Sequence, residues 1–373
     1  MNTPGCATGS GTRRYAERLS SSIPQSHFRQ QQELCISSIG LGTYLGHWDD
    51  RTDRMYQEAI RRAVGMGSNM IDSAINYRFQ RSERAIGAAL KQMFEAGKSK
   101  RDEIIIATKG GFFPFDGEPP RDPRAWVMEN IIETGVARAE DIVGGSHCMS
   151  ASYLDNQLSR SLDNLGLGCV DIYYIHNPET QLEMVSREEF NNRIRAAFEF
   201  LERAASDGRI QFYGTATWNG YRLPQGSRGY LSLEELVRIA REVAGDTHRF
   251  RVIQLPYNMA MPEALTEASQ MVDGEPLSLL MAAHRLGITV CCSASIFQAK
   301  LTQNLPPFVA EALKGLKTDA QRAIQFVRST PGVTTALVGM SQRSHVEENM
   351  ETATVEPASV EDFFSMFSSG GEQ

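Results

Sequence analysis

Eight short apolar runs, each followed by a stretch with helical spacing, constrain this chain more than any other feature. The runs are Ile39–Thr43, Asn69–Asp72, Ile104–Thr108, Val170–Ile175, Ile210–Gly214, Val252–Leu255, Ile288–Cys292 and Thr335–Val338. Most are continuously apolar, as expected for strands of a parallel sheet with both faces buried. Between them apolar residues recur at three and four: Tyr56, Ile60 and Val64; Ile86 and Leu90; Leu154, Leu158, Leu162 and Leu165; Ile194, Phe198 and Leu201. Such spacing predicts amphipathic helices. Ser344-His345-Val346-Glu347 has capping-box spacing and is expected to open the last helix. Strict alternation of this kind is the pattern of a closed α/β architecture, the (β/α)8 or TIM barrel. A length of 373 residues suits one large barrel.

The connections are unequal. Helix-to-strand links are short (65–68, 206–208, 284–287), whereas strand-to-helix links are long (110–149, 218–230, 257–276, 293–317). In such barrels the strand-to-helix loops build the C-terminal face, where the chemistry sits. Long loops usually enclose a ligand. The expected organisation is a polar, flexible or surface-hugging arm over 1–32, a barrel over 33–356 and a tail over 357–373. Residues 112–147 are an insertion whose Pro119-Pro120 and Gly144-Gly145 suggest a lid.

A net charge of −7, with no Lys/Arg-rich stripe, argues against a nucleic-acid partner. The first residues lack the apolar core of a signal peptide, and no stretch approaches a membrane span, so no membrane partner is expected. The six cysteines (Cys6, Cys35, Cys148, Cys169, Cys291, Cys292) form no CxxC pair. They read as free thiols of a reducing cytoplasm rather than a disulfide framework.

Polar residues fall at the ends of three consecutive strands. Asp72 ends the second and Tyr77 follows it (IDSAINY), Lys109 ends the third (IIIATKG), and His176 ends the fourth (DIYYIHNP). Taken singly these are ordinary: a strand-end Asp or Lys is usually a solvated or paired charge, a lone His a satisfied core group, a Tyr a packing residue. Neighbouring strand ends, however, let the four converge. A phenol, with a pKa of about 10, is a poor acid at neutral pH. An ammonium from Lys109, oriented by Asp72, is expected to lower that pKa. His176 can hydrogen-bond a carbonyl oxygen. Such a group would polarise a C=O and protonate the alkoxide as a hydride arrives.

With Asp-x4-Tyr, Lys and His in this order, the sequence resembles the aldo-keto reductase family. GLGTYLG at 40–46, SERAIGAAL at 82–90, VIQLPYN at 252–258 and VGMSQRSHVEEN at 338–349 accompany the four residues, and the likeness runs from about Leu34 to Glu356. The resemblance implies a catalytic tetrad of Asp72, Tyr77, Lys109 and His176. It implies an extended nicotinamide dinucleotide across the barrel mouth, NADP(H) ahead of NAD(H). Gly42 and Thr43, Gln254 for the carboxamide, Thr217 and Asn219, and Ser293 are its expected contacts. At the adenosine end the resemblance implies Gly339, Ser341, Arg343, Glu348 and Asn349, a helix start with hydroxyl and guanidinium suited to an anion. There are departures. Ala216-Thr217 stand where Ser-Asn is common, Ser293 stands where an aromatic ring often stacks on the nicotinamide, and His345 stands where some members carry Arg. Ile296 or Phe297 is a candidate to replace that ring. Tyr44 and Trp48 in the first loop, with Trp126 in the insertion, are expected to line the substrate pocket.

The reading is thus an NAD(P)H-dependent reductase of small carbonyl compounds, or the reverse alcohol oxidation. Its main rival is an NADPH-binding regulatory or scaffold barrel with negligible turnover. A metal-dependent lyase or isomerase finds no matching carboxylate/His cluster, and no metal ligand is assigned.

Overall fold

A computed structural model describes residues 2–368. The eight expected strands all form: β3 (Ile39–Gly42), β4 (Met70–Asp72), β5 (Ile105–Gly110), β6 (Val170–His176), β7 (Ile210–Ala216), β8 (Phe250–Pro256), β11 (Thr289–Ser293) and β12 (Thr335–Gly339). They pair in parallel in that order, and β12 closes on β3. Two short antiparallel hairpins stand outside the barrel, β1 (Phe28–Gln31) with β2 (Leu34–Ser37), and β9 (Gln270–Val272) with β10 (Glu275–Leu277).

Helices α1 (Gly9–Arg18), α2 (Asp50–Gly65), α3 (Arg81–Glu95), α4 (Pro123–Val127), α5 (Ala151–Leu165), α6 (Arg187–Ser206), α7 (Leu233–Ala244), α8 (Glu263–Thr266) and α9 (Leu279–Arg285) alternate with these strands. They are followed by α10 (Pro307–Ala312), α11 (Asp319–Ser329), α12 (Arg343–Met350) and α13 (Val360–Ser368). Each longer helix buries the stripe its sequence spacing implies: Tyr56, Ile60 and Val64 of α2, and Leu154, Leu158, Leu162 and Leu165 of α5, all face the strands. Inside the barrel a second core of Met70, Ile105, Ala107, Ile172, Val252 and Leu337 fills the lumen, stoppered from below by Ala7, Leu34 and Ile36.

The register lines up the site. Gly42 lies beside Asp72, Lys109 beside Tyr174, and His176 beside Ala216, which lies beside Gln254. Between β7 and β8 the register shifts at Gly214. A Cβ there would lie 1.6 Å from the Val252 carbonyl oxygen, so only glycine fits.

Several expectations are corrected. The N-terminal stretch is no loose arm. Thr8 caps α1, the Tyr15 hydroxyl donates to the Val64 carbonyl (2.5 Å), and Arg14 and Arg18 both pair with Glu103. Cys6 and Cys169 are joined in a disulfide, so the reading of six free thiols fails. Partners 163 residues apart leave no local signature in a sequence. The other four cysteines are free and buried. Helix α12 starts at Arg343 after Gln342, and no side chain caps it. Ser344 lies inside the first turn, so the capping box does not form. The tail folds as α13, with Phe363 buried against Phe326 of α11 (centroids 5.3 Å apart); residues 369–373 of the expected tail lie outside the described residues. No helix among the described residues is long and apolar enough to cross a membrane.

Candidate active site

The loop after β4 is laced to β5. Ser73 N–H donates to Ala107 O (2.9 Å) and Ile75 N–H to Lys109 O (3.2 Å), while Tyr77 N–H closes a turn on Ala74 O (3.0 Å). That lacing carries Tyr77 over Lys109, whose Nζ lies 5.0 Å from the phenol ring centroid. Lys109 is 1% exposed and donates to Asp72 Oδ2 (2.7 Å) and to the Ser73 carbonyl (2.6 Å). The other Asp72 oxygen accepts from Gln254 Nε2 (2.8 Å). His176 meets Tyr77 edge-on (5.8 Å), Tyr44 meets Tyr77 likewise (5.0 Å), and Phe112 meets His176 (5.1 Å). The four expected catalytic residues therefore do converge.

Their electrostatics differ from expectation. Burial pushes the Tyr77 phenol well above its ordinary pKa, with the Asp72 charge and Tyr44 adding to the rise. The net shift is upward, against the expectation of a lowering, although the Lys109 ammonium lies 5.0 Å from the ring centroid; Asp72 balances its charge. Burial also lowers the Lys109 pKa, against the opposing pull of Asp72. His176 is held well below its ordinary range by burial, then by Lys109 and His147, so its imidazole is neutral.

Above these residues lies a cavity of about 860 Å³ at the C-terminal ends of the strands. Asp72, Tyr77 and His176 form its floor, with Lys109 behind them. Gly42, Thr43, Thr217, Gln254 and Ser293 line its middle, and Gly339, Ser341, Glu348 and Asn349 its far end. Ile296 also lines it, whereas Phe297 does not and carries Lys300 over its ring (4.8 Å). Three polar atoms on this wall are buried without a hydrogen-bond partner: Asn76 Oδ1, His176 Nδ1 and Thr217 Oγ1. Buried polar atoms are nearly always satisfied, so these three stand open to hydrogen bonds from water or a ligand in the cavity. Together with the length of the wall, this fits a polar, extended molecule such as a dinucleotide.

Some expected contacts lie elsewhere. Asn219 is exposed; its backbone N–H, with those of Trp218 and Gly220, donates to Glu179. Arg343 is 60% exposed at the rim, pairing with Glu347 (2.9 Å) and Glu58 (3.6 Å). Of the three aromatic pocket candidates only Tyr44 lines the cavity. Trp48 packs edge-on to Phe79 (5.2 Å) at the surface. Trp126 packs on Phe115 (4.9 Å) against a small core that Phe113 and Ile131 of the insertion form with Tyr153 of α5. That core, with the Phe113–Ser146 backbone bond, seats residues 112–147 beside α5, so the insertion flanks the cavity rather than covering it. Only Phe112 of the insertion reaches the wall. Sequence reasoning missed Phe112, Trp218 and Asn76, which line the cavity from positions just past strand ends. Proximity to those ends was the available signal. Among the described residues no three His, Cys, Asp or Glu side chains gather as a metal site.

A model of the aldo/keto reductase family matches residues 38–228. Among curated proteins, the chain is similar to a putative voltage-gated potassium channel subunit beta from Schizosaccharomyces pombe, 26% identical over 52% of this chain and 46% of that protein. It is similar to an NADH-specific methylglyoxal reductase from Escherichia coli, 25% identical over 55% and 54%. The matched stretch thus spans about half the length of these curated relatives. Among solved structures, an aldo/keto reductase from Klebsiella pneumoniae in complex with NADP and acetate superimposes with a TM-score of 0.61. It is 17% identical and covers 91% of this chain and 94% of its own, a likeness of fold.

Proposed function

Since the chain belongs to the aldo/keto reductase family, we propose that it is an NAD(P)H-dependent oxidoreductase. It reduces an aldehyde or ketone to an alcohol, or runs the reverse, with Tyr77 as proton donor. The observation that carries this reading is the juxtaposition, on one cavity floor, of a buried Lys109–Asp72 pair beneath Tyr77 and a neutral His176.

A bound nicotinamide dinucleotide supplies the hydride. Thr43, Thr217 and Gln254 would hold its nicotinamide half, and Ser341, Glu348 and Asn349 its adenosine half. Tyr77 stays protonated at neutral pH because its pKa is raised, and an alkoxide is the stronger base, so the proton moves from Tyr77 Oη to the substrate oxygen. The Lys109 ammonium then faces the phenolate left behind, with Asp72 and Gln254 fixing its position. Neutral His176 orients the substrate carbonyl. Tyr44, Phe112 and Trp218 supply apolar walls for the substrate.

Tyr77→Phe keeps the ring and removes the proton. Turnover on a panel of aldehydes and ketones, followed by loss of NADPH absorbance, should fall about 10²–10⁴-fold with cofactor affinity nearly unchanged. Lys109→Met should also cost rate, and the double variant should fall well short of the product of the two losses, since the pair acts as one unit. Substantial turnover in Tyr77→Phe would move the donor role to His176.

We also propose NADP(H) ahead of NAD(H). Arg343 is free to turn to a 2′-phosphate because its present partners are exposed carboxylates, and solvent screens such surface pairs. Arg343→Ala should weaken NADPH binding about tenfold more than NADH in a fluorescence titration. Equal effects would remove Arg343 from the site. A regulatory barrel that binds NADPH with negligible turnover is the second reading, favoured by the channel-subunit name of one relative. Slow single-turnover oxidation of bound NADPH, with no carbonyl accelerating it, would select that reading. A cytoplasmic location rests on the four free thiols and is opposed by the Cys6–Cys169 bond; trapping thiols in intact cells decides it.

A further inference from the structure

We propose that His147, at the end of the insertion, is a positioning residue for His176, acting through a donor chain that runs Arg193–Gln181–His147–His176. The proposal rests on the reading of His176 as part of the reactive group. His147 is fully buried. One ring nitrogen, Nε2, lies 2.7 Å from the His176 carbonyl oxygen, and the other, Nδ1, lies 2.8 Å from Gln181 Nε2. The direction of every bond follows from chemistry. A guanidinium only donates, so Arg193 Nη1, at 2.7 Å, makes the Gln181 oxygen an acceptor. That fixes the Gln181 amide nitrogen as donor to His147 Nδ1. The ring's one proton is then on Nε2, and it is given to the His176 carbonyl. Burial holds the His147 pKa down to about 4, which keeps the ring neutral and this tautomer intact near neutral pH.

The bond has a specific place in the fold. The β5–β6 ladder ends at the pair Gly110 and Ile175, and the Gly111 N–H turns to Gln157 instead (2.7 Å). The carbonyl of His176 therefore lies one residue beyond the β5 side of the ladder, and His147 takes it, while β7 holds the other edge, where Asn177 N–H donates to the Ala216 carbonyl (2.6 Å). Gly111 makes room for this. Its φ is +145°, and a Cβ there would stand 2.9 Å from His147 Nε2 and 3.0 Å from the His176 oxygen. The Phe112 ring meets both imidazoles edge-on, at 5.0 and 5.1 Å. Arg193, on α6, also donates to the backbone carbonyls of Glu140 and Asp141, so it ties the insertion and the chain into one unit. The insertion thus serves as a buttress for a reacting group rather than a cover. Small misplacements of such a group, on the order of 1 Å, cost up to about 10²-fold in rate.

The test compares His147→Leu, His147→Gln and Gln181→Leu with His176→Ala, in the full chain. His147→Leu removes the tether, and kcat should fall about tenfold or more while the cofactor Kd changes less than about twofold. His147→Gln keeps an N–H near the place of Nε2 and should restore most of the rate. Gln181→Leu should fall between them. A parent-like kcat in His147→Leu overturns the proposal. So does an equal loss of kcat and cofactor affinity in the Leu and Gln variants, which is the mark of a merely structural role. If His176→Ala itself turns over like the parent, the reading of His176 fails rather than the chain. The chain is then decided by 15N-histidine NMR, as it is for a parent without turnover. His147 must show a protonated Nε2 and bare Nδ1 from pH 5 to 8, and the His176 ring signals must shift in Gln181→Leu. The opposite tautomer, or unmoved signals, overturns it.

Discussion

Gln254 is more than a hand for a carboxamide. Its Nε2 donates to Asp72 Oδ1, so the carboxylate under Lys109 has a donor on each oxygen. Gln254→Leu would leave one oxygen of a buried carboxylate unmatched, at a cost of about 1–3 kcal/mol. Denaturant melts should register that loss, and kcat should fall with it because the Lys109 ammonium loses its fixed partner. Histidines carry a different consequence. His27 and His147 are buried with pKa values lowered to about 3 and about 4, and burial is the main cause for each. The unfolded chain binds their protons near pH 6.5, and the folded chain does not. Stability is therefore fully present above about 6.5 and drains as pH falls toward 4, by about 1.4 kcal/mol per pH unit for each histidine. Thermal melts between pH 7 and 4 should show this slope, with His147→Gln showing less of it. The approach of Tyr77, Lys109, Asp72 and His176 was legible from residue type and strand-end position. The phenol's upward shift was not, since it depends on how deeply the ring is buried and on the Asp72 charge near it.

At the level of elements, the N-terminal segment and the insertion depart most from their composition. Both are rich in the residues of mobile chain, and both are held by long-range contacts. Asp171 accepts from Ala7 N–H (2.6 Å), from Arg101 (2.8 Å) and from Ile106 N–H (2.7 Å), so the segment is bound into the barrel floor beside the Cys6–Cys169 bond. Cys6→Ser should lower stability by about 2–4 kcal/mol in urea unfolding and leave turnover intact, because the floor is the face opposite the cavity. Loss of turnover with no change in stability would contradict that separation. For the insertion, hydrogen exchange should find the amides of Phe113, Val143 and Cys148 already protected without ligand, since each is bonded across the loop. Little further slowing is expected on adding cofactor. A large gain of protection there would restore the lid. Proline and glycine content predicts turns well, but it does not say whether a loop's apolar residues find one another, and Phe113, Ile131 and Ala137 do, against Tyr153 of α5.

For the molecule as a whole, the closed ring of strands follows from local patterning repeated along the chain. Continuous apolar runs demand burial on both faces, helical spacing supplies the cover, and eight such units close. That much, with the strand ends where chemistry sits, the sequence by itself determined, because hydrophobic periodicity and chain order are properties of neighbours in sequence. Gly214 marks the limit: an unremarkable glycine in a strand, required only because the Val252 carbonyl comes so near. Only the tertiary structure decided which distant groups meet: Cys6 with Cys169, Gln254 with Asp72, Arg193 through Gln181 and His147 with His176. It also turned Arg343 to the rim, packed Trp126 against the core the insertion shares with α5 and directed Lys109 to Asp72. These are pairings across the barrel and its loops, set by burial and by the need of every buried donor for an acceptor. That accounting closes only when the whole chain is folded.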